Sequence, residues 1–177
     1  MKKALTLIEL VLAVALLAVI VLAATSIDVA ARYFFKSSDT KSRVLNEASL
    51  IVEHIQKRAS QSSGFIDNPG IRPAVPFADS SFLEIRLDGD SPLTFDDASD
   101  RWVRYDFNGN NLVFTDGSNA EIISSKVTHC AFSSASSGAA VDMEITVQYI
   151  PNEPMDPKEN PQVTLRTSVL FGEHSFR

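Results

Sequence analysis

The residue types that could carry out catalysis are few in this 177-residue chain, and their spacing does not favour it. The three histidines are His54, His129 and His174, and no metal-ligand spacing surrounds any of them. His129 directly precedes the single cysteine, Cys130, in a segment with the pattern of a strand. A thiol nucleophile needs a base within reach, whereas adjacent strand residues point to opposite faces. We predict no catalytic site, a helix-surface position for His54 and a partly buried apolar role for Cys130.

Composition excludes further classes of function. The chain has 16 basic and 22 acidic residues, and its net charge is −6 at neutral pH. Nucleic-acid affinity comes mainly from lysine and arginine on phosphates, so we predict no nucleic-acid partner. Apolar residues make up 45% of the chain and charged residues 21%, which is typical of a folded protein. A single cysteine cannot form an internal disulfide, and we predict no cofactor.

Glu9 stands out because it lies in an otherwise apolar segment. Residues 5–24 read LTLIELVLAVALLAVIVLAA, in which only Thr6 and Glu9 are polar. A helix of this length spans about 30 Å, the thickness of a bilayer's hydrocarbon core. Lys2 and Lys3 predict a cytoplasmic N-terminus, and no second hydrophobic span follows. A charged residue costs about 2.5–3.5 kcal/mol at the centre of such a helix, so Glu9 calls for a compensating partner.

Residues 1–4, MKKA, followed by residues 5–10, LTLIEL, resemble the N-terminus of type IV pilins and type II secretion pseudopilins. The resemblance implies that residues 1–4 are a leader and that a prepilin peptidase cuts between Ala4 and Leu5. It also implies N-methylation of Leu5 and pairing of Glu9 with the N-terminal amine of a neighbouring subunit. Two buried charges that are costly alone become tolerable together, so this pairing fixes register more than it adds stability.

The chain departs from the usual family pattern at the cut and along the helix. Members usually have glycine before the cut and phenylalanine or methionine after it, where this chain has Ala4 and Leu5. Alanine is small enough to be accepted, and we expect slower processing. Many members have a proline partway along the helix. Because neither glycine nor proline precedes Gly64 here, we expect no built-in kink.

Two other interpretations of the first 24 residues stay open. A secretory signal peptide has the same basic start and apolar middle, and Val21-Leu22-Ala23 could serve as its cleavage site. A plain membrane anchor has the same composition. Neither gains from a charge in the span, whereas a helix that packs against copies of itself gains a partner for Glu9.

Residues 25–63 predict an amphipathic continuation of the membrane-spanning segment, residues 5–24. The aromatic residues 33–35 come where the helix leaves the lipid, an interface that aromatic side chains favour. The polar tract 36–43 is predicted to be solvated. Beyond it, apolar residues recur every three or four positions and predict one buried stripe. These residues are Val44, Ala48, Ile51 or Val52, Ile55 and Ala59.

Residues 64–177 predict a head with an antiparallel sheet of about five to seven strands packed on the helix, an α+β, pilin-like fold. Asn108-Gly109-Asn110 predicts a tight hairpin turn. Prolines and glycines predict loops at residues 64–79 and 151–161, the second between adjacent antiparallel strands. The predicted strands are residues 82–87, 101–107, 111–115, 120–124, 126–133, 141–149 and 163–170.

The strand order over residues 82–171 is similar to that of J-type minor pseudopilins and of larger minor pilins. Some major pseudopilins bind calcium in the head, which draws attention to two polar sets. Asp96, Asp97 and Asp100 fit a solvated turn. The second set consists of Asp106, Asn108, Asn110 and Asp116. It begins like a calcium-binding loop, but Gly109 is misplaced and no glutamate closes the loop, so we predict no metal site.

The resemblance implies a structural subunit, not an enzyme. It predicts a type II secretion minor pseudopilin that helps to initiate or cap a periplasmic pseudopilus. The implied partners are other pilins or pseudopilins through the helix, the prepilin peptidase and the inner-membrane assembly platform. The implied location is the bacterial inner membrane, crossed once, with the head in the periplasm and later in a filament. The alternatives are a minor pilin of a surface type IV pilus and an exported soluble binding module.

Overall fold

A computed structural model of the chain describes residues 6–62, 71–73, 81–87, 101–134 and 140–170. The chain divides into two compact units, Met1–Asp39 and Thr40–Arg177. One helix, α1, begins at Leu7 and ends at Ala59, and it contributes residues to both units. The described strands all belong to the second unit and are antiparallel. The predicted α+β class is therefore confirmed.

In the first unit the helix buries almost nothing. Every residue from Thr6 to Ala30 is exposed. The hydroxyls of Thr25 and Ser26 both donate to the carbonyl of Leu22, at 2.9 and 2.8 Å, so the helix itself satisfies these polar groups. A helix that is apolar on all sides and exposes those sides is suited to an apolar solvent such as lipid.

In the second unit the helix buries one stripe. Its buried residues are Thr40, Val44, Ala48, Ile51, Ile55 and Ala59, which confirms the predicted apolar stripe. Thr40 was expected to be solvated, and the structure corrects this because Thr40 extends the stripe by one turn. The helix ends at Ala59, and residue 63 lies outside the described residues. The Ser60 hydroxyl donates to the Lys57 carbonyl at 2.9 Å, and such side-chain bonds compete with a further helical turn.

Within the described residues, the first sheet has five strands in sequence order. They are β1 (Ile71–Pro73), β2 (Phe82–Leu87), β3 (Arg101–Asn108), β4 (Asn111–Asp116) and β5 (Asn119–Ser124). Strand β1 lies within the predicted loop 64–79, and it is a short edge strand that can include a proline. Gly109 has φ 64°, as the predicted hairpin turn requires. Gly117, with φ 60°, makes the next turn in the same way.

The second sheet has three strands, β6 (Val127–Ser134), β7 (Ala140–Gln148) and β8 (Gln162–Leu170). The expectation of a single sheet was wrong, because β6 pairs with β7 and not with β5. The predicted loop 151–161 does join adjacent antiparallel strands. One hydrophobic core joins the helix stripe to buried side chains of both sheets, including Tyr105, Phe132 and Ile145.

Candidate functional site

Thr6 and Glu9 form a capping box at the start of the helix. The Thr6 backbone N–H and the Thr6 hydroxyl both donate to Glu9 Oε2, at 2.9 and 2.8 Å. In return the Glu9 backbone N–H approaches Thr6 Oγ1 at 3.4 Å. The Thr-x-x-Glu spacing produces this geometry locally, since Thr6 is the N-cap and Glu9 is the third helical residue. Backbone donors that a helix end would leave unsatisfied therefore have partners.

The capping box engages one carboxylate oxygen of Glu9. Its second oxygen, Oε1, accepts no hydrogen bond from any residue that the structure describes. The side chain is exposed on the outer surface of the helix, beside the apolar side chains of Leu7 and Ile8. A carboxylate in this arrangement can accept a charge-assisted hydrogen bond from a cation on another molecule.

The helix that carries Glu9 is long and apolar enough to cross a membrane. An 18-residue window within it has a mean hydropathy of 3.0, and none of that window is buried. It is one such helix within the described ranges, and it lies near the N-terminus. A signal sequence passes the same test of length and composition. The expected processing residues, Ala4 and Leu5, lie outside the described residues.

His54 is half-buried between the helix and the first sheet, which corrects the predicted surface position. The Tyr105 hydroxyl lies 2.9 Å from His54 Nδ1 and 3.4 Å from the His54 carbonyl. The His54 ring also makes edge contacts with the rings of Tyr105 and Phe114. Burial lowers the pKa of His54, and the charges of Arg58 and Lys57 lower it further. A neutral imidazole can accept a hydrogen bond from the Tyr105 hydroxyl, so the contact joins the helix to the first sheet.

Sequence reasoning also missed a polar junction at the end of the first sheet. The buried Ser124 hydroxyl donates to Glu47 Oε1 at 2.6 Å, and Lys126 Nζ lies 3.2 Å from Glu47 Oε2. The Ser124 oxygen accepts the Lys126 backbone N–H at 3.1 Å. These contacts fix the β5–β6 connection to the helix. No local motif signals them, because Glu47 and Ser124 are 77 residues apart.

Cys130 faces the core and His129 faces solvent, as their adjacent positions on a strand predict. Burial raises the pKa of the Cys130 thiol to about 12. The thiol is therefore protonated at neutral pH, and a protonated thiol is a weak nucleophile. Cys130 is more deeply buried than expected. His174 lies outside the described residues.

The polar sets that were weighed as calcium ligands have other roles where the structure describes them. Arg104 donates to both carboxylate oxygens of Asp106, at 2.7 Å each, and Arg101 lies 3.4 Å from Asp116. Asn108 and Asn110 flank the Gly109 turn. Asp96, Asp97 and Asp100 lie outside the described residues. Within the described part of the chain, no group of three or more His, Cys, Asp or Glu residues is placed to hold a metal ion.

Comparison of the chain with protein-family models, with curated proteins and with solved structures finds no match. The arguments about function therefore rest on the residues and their geometry.

Proposed function

We propose that the protein is a structural subunit of a type IV filament machine, and specifically a type II secretion minor pseudopilin. The observation that carries the proposal is the environment of Glu9. An acidic side chain stands in the first turn of an exposed apolar helix, with one carboxylate oxygen used in capping and the other available. A plain anchor gains only the helix cap from Glu9, whereas a subunit that pairs it with a neighbour's amine also gains a partner for its charge.

The proposed mechanism starts with insertion as a prepilin, with Lys2 and Lys3 on the cytoplasmic side. Prepilin peptidase removes residues 1–4, and the new amino group at Leu5 is methylated. The ammonium of one subunit then pairs with Glu9 of its neighbour as their apolar helices pack together. The low dielectric constant of that environment strengthens the pairing, and the high cost of mispairing fixes the axial register.

The way the helix packs on the sheets in the second unit supports the same proposal. Its helix residues from Thr40 to Ala59 bury one stripe against sheets and leave the opposite side exposed. This arrangement suits a head that the helix carries outside the membrane, in the periplasm, while the helix contacts other subunits. The proposed partners are other pseudopilins, prepilin peptidase and the inner-membrane assembly platform.

A minor pilin of a surface type IV pilus is the alternative within the same family. It would use the same leader, methylation and Glu9 pairing, and it would differ in its compartment and its partners. Crosslinking of the processed chain in its native cell separates the two, since the adducts contain either secretion-system subunits or pilus subunits.

The decisive experiment is an intact-mass and N-terminal sequence measurement on the full chain, expressed with and without prepilin peptidase. The proposal predicts loss of residues 1–4 and gain of one methyl group only when the peptidase is present. An Ala4→Asp variant is the matched control. A larger, charged residue at the cut should leave the chain unprocessed and still inserted. Cleavage near Ala23 without the peptidase would refute the proposal and indicate an exported soluble module.

A further inference from the structure

Among the strands that the structure describes, four lie at the edges of the two sheets, namely β1, β5, β6 and β8. An edge strand presents unpaired backbone N–H and C=O groups, and proteins usually block such edges with short strands, prolines, charges or bulges. Three of the four edges here carry such a feature. Strand β1 has only three residues and ends in Pro73.

Strands β5 and β6 each contain a bulge. In the β4–β5 pair, Leu112 and Val113 pair with Ser124 and Ile122, which leaves Ile123 without a partner. In the β6–β7 pair, Thr128 is skipped in the same way. An extra residue in an edge strand bends it and disrupts further pairing. Both bulges lie on the edge strand itself, where they have this effect.

Strand β8 is neither short nor bulged and has no proline, and its one charged residue is Arg166. All nine of its residues pair with β7 in an uninterrupted register, and the strand contains no glycine or proline. On its other side, no strand among the described residues pairs with it. Its outward side chains are exposed along the whole strand, which has the sequence QVTLRTSVL. The β8 edge is therefore long, regular and rich in residues that favour strands.

The two faces of β8 indicate what would fit beside it. On the inner face, Val163 and Leu165 contact the core and are only partly buried, so an added strand with apolar side chains would cover them. On the outer face, Arg166 carries the only charge of the strand. Its side chain is 76% exposed and lies 3.0 Å from Glu144.

We propose that the β8 edge binds an extended segment of a partner protein as a fourth strand of the second sheet. The segment has apolar residues that face Val163 and Leu165 and an acidic residue opposite Arg166. A second copy of this chain is the poorer occupant. Arg166 is the middle residue of β8, so full antiparallel pairing of two β8 strands places two guanidinium groups opposite each other, and like charges in that position are destabilising.

This inference goes beyond the proposed filament function, because it concerns the head and not the membrane helix. Strand addition also differs from helix packing in what it recognises. Backbone hydrogen bonds supply affinity, and alternate side chains supply specificity. The partner is therefore a protein with an exposed extended segment. The β8 edge needs no groove to bind such a segment.

The test uses the full chain in detergent micelles and a synthetic nine-residue peptide, TVTVEVTVT, with blocked termini. Its valines share one face, and its central glutamate can lie opposite Arg166. We expect at least tenfold slower amide hydrogen exchange at alternate residues of β8 when the peptide is bound. The β5 edge is the internal control and should be unchanged. A peptide with lysine at the centre should bind about two- to fivefold more weakly, because an opposite charge pair becomes a like pair.

Two variants make the result specific. Arg166→Glu should reverse the preference, so that the lysine peptide binds more tightly. A peptide N-methylated at alternate residues along its pairing edge should not bind, because it lacks the donors. Unchanged exchange along β8, equal binding of both peptides, or protection of β8 that depends only on the concentration of the chain itself would overturn the proposal. Prepilin processing is independent of all these results.

Discussion

At the N-terminus of the helix, Thr6 and Glu9 satisfy each other's polar groups without a second molecule. This self-capping explains how an acidic residue can be accommodated in an apolar segment, since in lipid the Thr6 N–H would otherwise lack a partner. The arrangement leaves the second carboxylate oxygen of Glu9 accessible to a cation on another molecule. Capping and charge are therefore separate properties of Glu9, and they can be tested separately.

Replacing Glu9 by glutamine should remove the charge and keep the cap, because glutamine also fits a capping box. We expect Glu9→Gln to stay in the membrane and to lose at least about tenfold in crosslinking to other subunits, since breaking a buried charge pair costs about 3–5 kcal/mol. Thr6→Val is the matched control, because it removes the side-chain cap and keeps the charge. Normal crosslinking of Glu9→Gln would contradict the pairing mechanism.

His54 makes the stability of the second unit sensitive to acid. Burial and the charges of Arg58 and Lys57 lower the folded-state pKa of His54, while Glu121 on β5 opposes them. The unfolded chain keeps the ordinary pKa of 6.5. Between these two pKa values the unfolded state binds more protons. The free energy of unfolding should therefore fall as the pH drops below about 6.5, and His54 should add no pH dependence above that.

The measurement is denaturant unfolding of the full chain in detergent between about pH 5 and pH 8. We expect His54→Gln to flatten the slope below about pH 6.5. His129→Gln is the matched control, because His129 is exposed on β6. If both variants retain the slope of the unaltered chain, the acid sensitivity arises elsewhere.

At the scale of elements, the helix stripe holds the second unit together. Ile55 is fully buried in this stripe, whereas Leu50, five residues earlier on the same helix, is 65% exposed. A buried aliphatic side chain contributes through transfer out of water and through the cavity that its removal leaves. The same substitution at these two positions therefore has different consequences.

Ile55→Ala should lower the free energy of unfolding by about 2–5 kcal/mol, as measured by chemical denaturation. Leu50→Ala changes an exposed position of the same helix and should stay within about 0.5 kcal/mol. Equal effects of the two substitutions would show that the stripe does not pack as described.

The junction of Glu47, Ser124 and Lys126 should behave as one coupled unit. A hydrogen bond to a charged group contributes about 1.5–3 kcal/mol, so Ser124→Ala should destabilise the second unit by that order. In a double-mutant cycle, Ser124→Ala and Glu47→Gln should couple, because their side chains share the 2.6 Å bond. Additive effects on the free energy of unfolding would count against this bond.

At the scale of the whole molecule, an exposed apolar helix precedes a folded unit with its own core. The exposed apolar segment is suited to lipid, whereas the second unit is built around a buried hydrophobic core. This difference predicts a fixed topology. Under the proposed function, we expect Lys2 and Lys3 to keep the N-terminus in the cytoplasm and the head to stay on the opposite side of the membrane.

Labelling with a membrane-impermeant maleimide tests this topology in a Cys130→Ala background. Met155→Cys places a thiol at an exposed position of the loop between β7 and β8. We expect it to react in cells whose outer membrane alone is permeabilised. Lys3→Cys, in the unprocessed chain, should react only after the inner membrane is opened. The opposite pattern would show that the head lies in the cytoplasm.

Where a structural feature depends on neighbours in sequence, the sequence alone determined it. Apolar residues without interruption predict the exposed helix, and a repeat every three or four positions predicts the buried stripe. The Asn108–Gly109 turn and the proline-rich loop 151–161 follow from backbone restrictions that act within a few residues. The Thr6–Glu9 capping box is local in the same sense, although we did not predict it from the sequence.

Only the tertiary structure decided which distant segments meet. Alternation predicts a strand but not its neighbour, so the division into two sheets depends on the pairing of β6 with β7. The contacts of His54 with Tyr105 and of Glu47 with Ser124 join residues 51 and 77 positions apart. Contacts over such separations depend on how the core packs, and the pattern of residue types along the chain does not predict that packing. The edge of β8, with which no other described strand than β7 pairs, is a property of the same kind, because it exists only once the order of the strands is fixed.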